Sequence, residues 1–129
     1  MIYALHNLEL TLICNGDTFL KLRSKSPTED KHLMKQDAGI YIDNTLLDKG
    51  ILVEYHDNTL KKKIKMIVNP TILLGGDNTR KLWKSNDDNI SKLLRKLEKR
   101  IGRYFDGLVR LDDFKLTRVD FAVNFDVGD

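Results

Sequence analysis

Cysteine and proline are scarce in this chain, with one cysteine and two prolines among 129 residues. Cys14 sits in the apolar run LTLIC with nothing to pair with. That excludes a disulfide-stapled secreted fold, sets the expectation of a reducing cytoplasm, and leaves the thiol the role of a small buried hydrophobe. Pro27 and Pro70 fall where breaks are expected, and there is no linker, internal repeat or low-complexity tract. Long apolar runs are missing too. The opening MIYALHNLELTLIC is interrupted by His6, Asn7 and Glu9, so neither a signal peptide nor a membrane span is expected. No phosphate-binding glycine loop, dinucleotide-binding glycine pattern, zinc-type cysteine set or Ser-His-Asp order occurs. His6, His32 and His56 are too scattered for a His-hydrophobe-His ligand pair.

What remains is a chain with 41% hydrophobic residues, enough to bury a core as one domain spanning 1–129. Residues 2–13 read as a strand, followed by an Asn15-Gly16-Asp17 turn and an extended piece through Leu22, a hairpin pattern. SPTEDKHLMKQDAG carries Ser26 as a cap, Pro27 at the first helical position and Gly39 past the end, predicting a short helix. GIYID, GILVEYHD and LKKKIKMIVNP predict strands, since Ile64, Met66 and Val68 alternate with lysines. TILLGGDNTRKLW, with adjacent glycines, reads as a loop. From SNDD onward, with Ser85 or Asn86 as cap, Ile90, Leu93, Leu94, Leu97, Ile101, Tyr104, Phe105 and Leu108 recur at helical spacing until Gly107. The order predicts an α+β fold: an antiparallel sheet with a short helix and a long basic amphipathic helix packed on one face.

Net charge is only +3, so the local distribution carries the argument. Lys92, Arg95, Lys96, Lys99, Arg100 and Arg103 stand along the exposed part of the long helix with a single acid among them, Glu98. Several of these cations lie four apart, and each like-charge pair costs a helix roughly 0.2–0.5 kcal/mol. With Lys61, Lys62, Lys63 and Lys65 they suit a phosphate backbone, although a solvated helix face has the same composition. Lys61 and Lys63 join the six helix cations as candidate DNA contacts.

The stretch LTRVDFAVNFD divides by strand periodicity. Thr117, Val119, Phe121, Val123 and Phe125 point one way, and Leu116, Arg118, Asp120, Ala122, Asn124 and Asp126 the other. Asp120 and Asp126 stand roughly 20 Å apart on such a strand, so a shared metal ion needs a ligand from a neighbouring strand. Glu54 and His56 in VEYHD offer one, being on one strand face and two residues apart, either as ligands or as an outer-face pair without a role. Arg118 can pair with Asp120 or clamp a phosphate.

KLTRVDFAVNFDVG resembles the strand "TR-hydrophobic-D-hydrophobic-A/C-hydrophobic-N/D" of phage and plasmid rolling-circle replication initiators, the gene II/X and replication initiation factor types. VNPTILLGGDN is similar to the asparagine-containing loop that those phage proteins carry in the same order. The likeness covers about residues 69–128; the first half shows only a compatible strand pattern. It implies a tyrosine enzyme that nicks and joins single-stranded or origin DNA with a divalent metal, Mg or Mn. Arg118 and Asp120 match the motif as catalytic residues, with Asp120 the better candidate for a metal ligand or for a neighbour that holds one in place; Glu54 and His56 remain the candidates that strand periodicity alone offers for the same metal.

The nucleophile does not carry over, because in that family it comes downstream of this strand. Tyr3 and Tyr41 lie in strand-like apolar runs, Tyr55 is on the strand face opposite Glu54 and His56, and Tyr104 falls in the buried helical stripe. The expectation is therefore the N-terminal part of a longer initiator, inactive in nicking by itself and without need of a metal of its own. Two other classes stand beside it. One is a non-catalytic interaction or dimerisation module that uses an open sheet edge; the other is a small metal-dependent nuclease built on Glu54, His56 and Asp120.

Overall fold

The computed structural model describes residues 2–25, 33–37, 39–57, 61–75 and 87–124. Its strands are β1 (Ile2–Cys14), β2 (Leu33–Asp37), β3 (Ile40–Asp43), β4 (Ile51–His56), β5 (Lys62–Val68) and β6 (Lys115–Asn124), and its helices α1 (Gly16–Lys25), α2 (Pro70–Leu73) and α3 (Asp87–Tyr104). The strands form one six-stranded sheet in the order β2-β3-β4-β5-β1-β6. Every neighbouring pair is antiparallel.

Alternation in the strands decides which face is covered. Ile51, Val53 and Tyr55 of β4 and Ile64, Met66 and Val68 of β5 are fully buried, while Glu54, His56, Lys63 and Lys65 between them are only half-buried. Leu10 and Leu12 of β1 extend the same apolar face. Phe19 and Leu22 of α1 and Leu93, Leu97, Ile101 and Tyr104 of α3 bury into that one cluster, so the helices lie on one side of the sheet and leave the other open. This is the α+β architecture that the hydrophobic pattern predicts. Among the described residues no helix is long and apolar enough to cross a membrane.

Three local expectations give way. The Asn15-Gly16-Asp17 segment starts a helix rather than a hairpin, because the Asn15 side chain accepts the Thr18 N–H at 2.8 Å and Phe19 and Leu22, three apart, reach the core. In SPTEDKHLMKQDAG, residues 33–37 form a strand instead of a helix, since pairing with β3 (Met34 opposite Ile42) outweighs local propensity. Ser26, Pro27 and the acids after them lie outside the described residues. The segment expected as a loop begins with α2, one helical turn with Asn69 at its N-cap and Pro70 at its first position. Ser85 and Asn86, the expected caps of α3, also lie outside the described residues; the far end closes as expected, with Gly107 at φ 76° donating its N–H to the Gly102 carbonyl at 2.8 Å.

Gly50 lets α2 approach the start of β4. Its φ is +88°, and a Cβ there would stand 2.7 Å from the Leu73 nitrogen and 2.8 Å from the Asn69 oxygen.

The core also contains a carboxylate. Asp43 is fully buried at the end of β3. Its Oδ1 accepts the Thr45 N–H at 2.9 Å and the Thr45 hydroxyl at 2.5 Å, and its Oδ2 accepts the Tyr104 hydroxyl. The Tyr104 and Tyr55 hydroxyls share a further hydrogen bond at 2.7 Å. Tyr104→Phe removes a donor from a buried acid and is expected to lower unfolding stability by about 1–3 kcal/mol, read as a drop in the urea midpoint. An unchanged midpoint would mean that the bond contributes nothing net.

Candidate nucleic-acid interface

Because the apolar stripe of α3 faces the sheet, its cations face outward. Lys92, Arg95, Lys99 and Arg103 are exposed, and Lys96 and Arg100 half-exposed. Lys92 pairs with Asp88 at 3.3 Å. Glu98, the acid within the run, is directed away from it, accepting Arg110 Nε at 3.2 Å and the Leu111 N–H at 3.1 Å. Arg95, Lys96, Lys99, Arg100 and Arg103 therefore have no carboxylate partner among the described residues.

The predicted strand residues lie on the other side of the molecule. In the register of β1 with β6, Asn7 is opposite Asp120, Leu8 opposite Val119 and Glu9 opposite Arg118. Arg118 and Asp120 thus share the open face, and Val119 packs against the core, as periodicity predicts. The expectation fails one residue earlier. Leu10 pairs with Leu116, which leaves Thr117 as an extra residue, a β-bulge. Thr117 shares a hydrogen bond with the Thr11 hydroxyl at 2.7 Å and donates to the Glu9 carbonyl at 3.2 Å. Leu116 is thereby turned to the helix side, where with Leu8, Leu10, Leu94 and Phe114 it lines a groove of about 620 Å³ between β6 and α3. A second irregularity leaves His6 without a register partner in β6.

Three ion pairs lie on the open face. Arg118 Nε meets Asp120 Oδ1 at 2.9 Å, Lys65 meets Glu9 at 3.2 Å, and His56 Nε2 meets Glu54 at 2.9 Å. Asn7, Glu9, Ile67, Arg118 and Asp120 enclose a small hollow of about 90 Å³. Glu54 and His56 keep their own company on β4, and β5 and β1 lie between them and β6. At roughly 4.8 Å per strand that is some 14 Å of lateral separation, so Glu54, His56 and Asp120 do not fit one metal ion. Among the described residues no group of three His, Cys, Asp or Glu could hold one. The three-residue nuclease centre is thus not formed.

The two basic elements are likewise separated. Lys63 stands opposite His56 on the open face and Lys61 is exposed just before β5, whereas the α3 cations point away from the far side of the sheet. Of the tyrosines, Tyr55 and Tyr104 are buried and joined to each other, and Tyr41 lies half-buried under the Arg23 guanidinium, 4.2 Å from the ring centre. The side chain of Tyr3 lies outside the described residues. Burial pushes the Cys14 thiol above its ordinary range, which fits a packing role.

Sequence reasoning missed Asn7 and Glu9 as neighbours of Arg118 and Asp120, and Lys65 as the ion-pair partner of Glu9. Glu9 was visible as a polar residue of β1, but only the register puts it opposite Arg118. Compared with family models, curated proteins and solved structures, the chain matches none.

Asn69, the asparagine of the VNPTILLGGDN loop, holds the local backbone: its side chain accepts the Ile72 N–H at 3.2 Å and its own N–H donates to the Gly50 carbonyl at 2.8 Å. Asn69→Ala is accordingly expected to cost about 1 kcal/mol in chemical denaturation. Any affinity that the wild type has for DNA should be unchanged in the variant, and a loss of it in a folded variant would contradict the purely architectural role.

Proposed function

We propose that this domain binds DNA through the outer face of α3, as the DNA-binding part of a rolling-circle replication initiator. One observation carries the reading: five cations follow one another along the helix without a carboxylate partner among the described residues. Such an array repels itself and gains stability when a polyanion is laid against it. Phosphates satisfy it without demanding base sequence, and their displaced counterions make the binding salt-dependent. The resemblance of KLTRVDFAVNFDVG to the initiator strand supports the same reading from a separate part of the chain.

Arg118 and Asp120 are on the face turned away from α3, so a strand held on the helix must pass round the β6 edge to reach them. That separation supports a division in which α3 holds DNA and Arg118 and Asp120 are the candidates for a role near a cleavage centre in the initiator as a whole.

Fluorescence anisotropy with labelled single-stranded and duplex DNA at two salt concentrations tests the proposal. Binding should weaken steeply with salt, and Lys92→Glu/Arg95→Glu/Lys99→Glu should reduce affinity at least about tenfold and flatten the salt slope by roughly one for each phosphate no longer neutralised. Equal affinity of the reversed and native proteins would remove α3 from the interface.

A further inference from the structure

β6 is an outer strand of the sheet. Its ladder of N–H and C=O groups on the side away from β1 has no strand partner among the described residues. Protected sheet edges commonly carry charge of one sign, which repels a second copy of the same strand. The central part of β6 has the opposite arrangement, with Arg118 and Asp120 on one face, two residues apart, on either side of Val119.

We infer that β6 pairs antiparallel with β6 of a second copy of this chain, about a two-fold axis through Val119. In an antiparallel pair centred on a residue, the positions before and after it face each other across the axis. Arg118 of each copy then stands opposite Asp120 of the other, on the same face. Within one chain only Nε of Arg118 is bonded to Asp120 Oδ1, at 2.9 Å, so the terminal guanidinium nitrogens and Asp120 Oδ2 can close a four-membered charge network across the axis. The Arg118 side chain is 68% exposed, and the fold itself does not require it to be covered. Leu116, turned by the Thr117 bulge to the groove side and 57% exposed, and Leu94, 47% exposed on α3, supply the apolar surface beside the strand edge. The pairing joins two open sheets into one continuous sheet; Arg95 lines the same groove as Leu94 and Leu116, whereas Lys99 and Arg103 lie outside it, and a measurement made without DNA separates the inference from the DNA-binding reading.

Sedimentation velocity of the whole chain without DNA, over about 1 to 200 µM, tests the inference. The wild type should pass from monomer to dimer within that range. Arg118→Asp and Asp120→Arg should each place like charges opposite one another at two symmetry-related points and weaken the dimer by about tenfold. The double exchange Arg118→Asp/Asp120→Arg restores complementarity and should recover it. Leu116→Ser, a change at an exposed position, should weaken the dimer with far-ultraviolet circular dichroism unchanged. A wild type that stays monomeric at the highest concentration overturns the inference, as does a dimer indifferent to both charge reversals.

Discussion

The hydrogen-bonded chain Asp43–Tyr104–Tyr55 fixes how the helical layer sits on the sheet. An acid buried without partners in an apolar core costs several kcal/mol, so its donors must stay in place in the folded state. Tyr104 is the last residue of α3, Tyr55 belongs to β4 and Asp43 to β3. Apolar packing of Leu93, Leu97 and Ile101 would tolerate sliding of α3 by small amounts. A buried carboxylate with directional partners tolerates it less, and the orientation of the outward cations follows from that constraint.

The β-bulge at Thr117 does a comparable job for the opposite side. It leaves Arg118 and Asp120 on the open face and moves Leu116 off it, so the outermost strand contributes charge to one surface and apolar area to another. One inserted residue thus divides β6 between two surfaces. Without it, Leu116 would lie on the charged face, and the groove beside α3 would lose one of its walls.

Much of the fold was legible in the sequence because burial follows period. Lys63 and Lys65, which flank Ile64, and the leucines of α3 place themselves. The helix α1 was not, since Asn15 followed by Gly16 favours a tight hairpin turn as readily as it supplies an N-cap, and the choice was made by where Phe19 and Leu22 find a core. The strand β2 was not, because its pairing with β3 is a tertiary fact. At the candidate site the cations of α3 could be read directly. That Glu98 would turn to Arg110 and Leu111, or that Glu9 would meet Lys65 and stand opposite Arg118, depends on register and layer order, which a local pattern does not contain.

The pairing of β1 with β6 joins the first strand of the sheet to the last. Thr11 and Thr117 share a hydrogen bond across 106 residues of sequence. Closing so long a loop is entropically costly, and a topology dominated by such distant pairings folds slowly. During synthesis, β1 therefore has an unoccupied edge until β6, from Lys115 onward, has emerged. The hollow around Arg118 and Asp120 forms only when β6 docks, so that surface is absent from any nascent chain that stops short of β6.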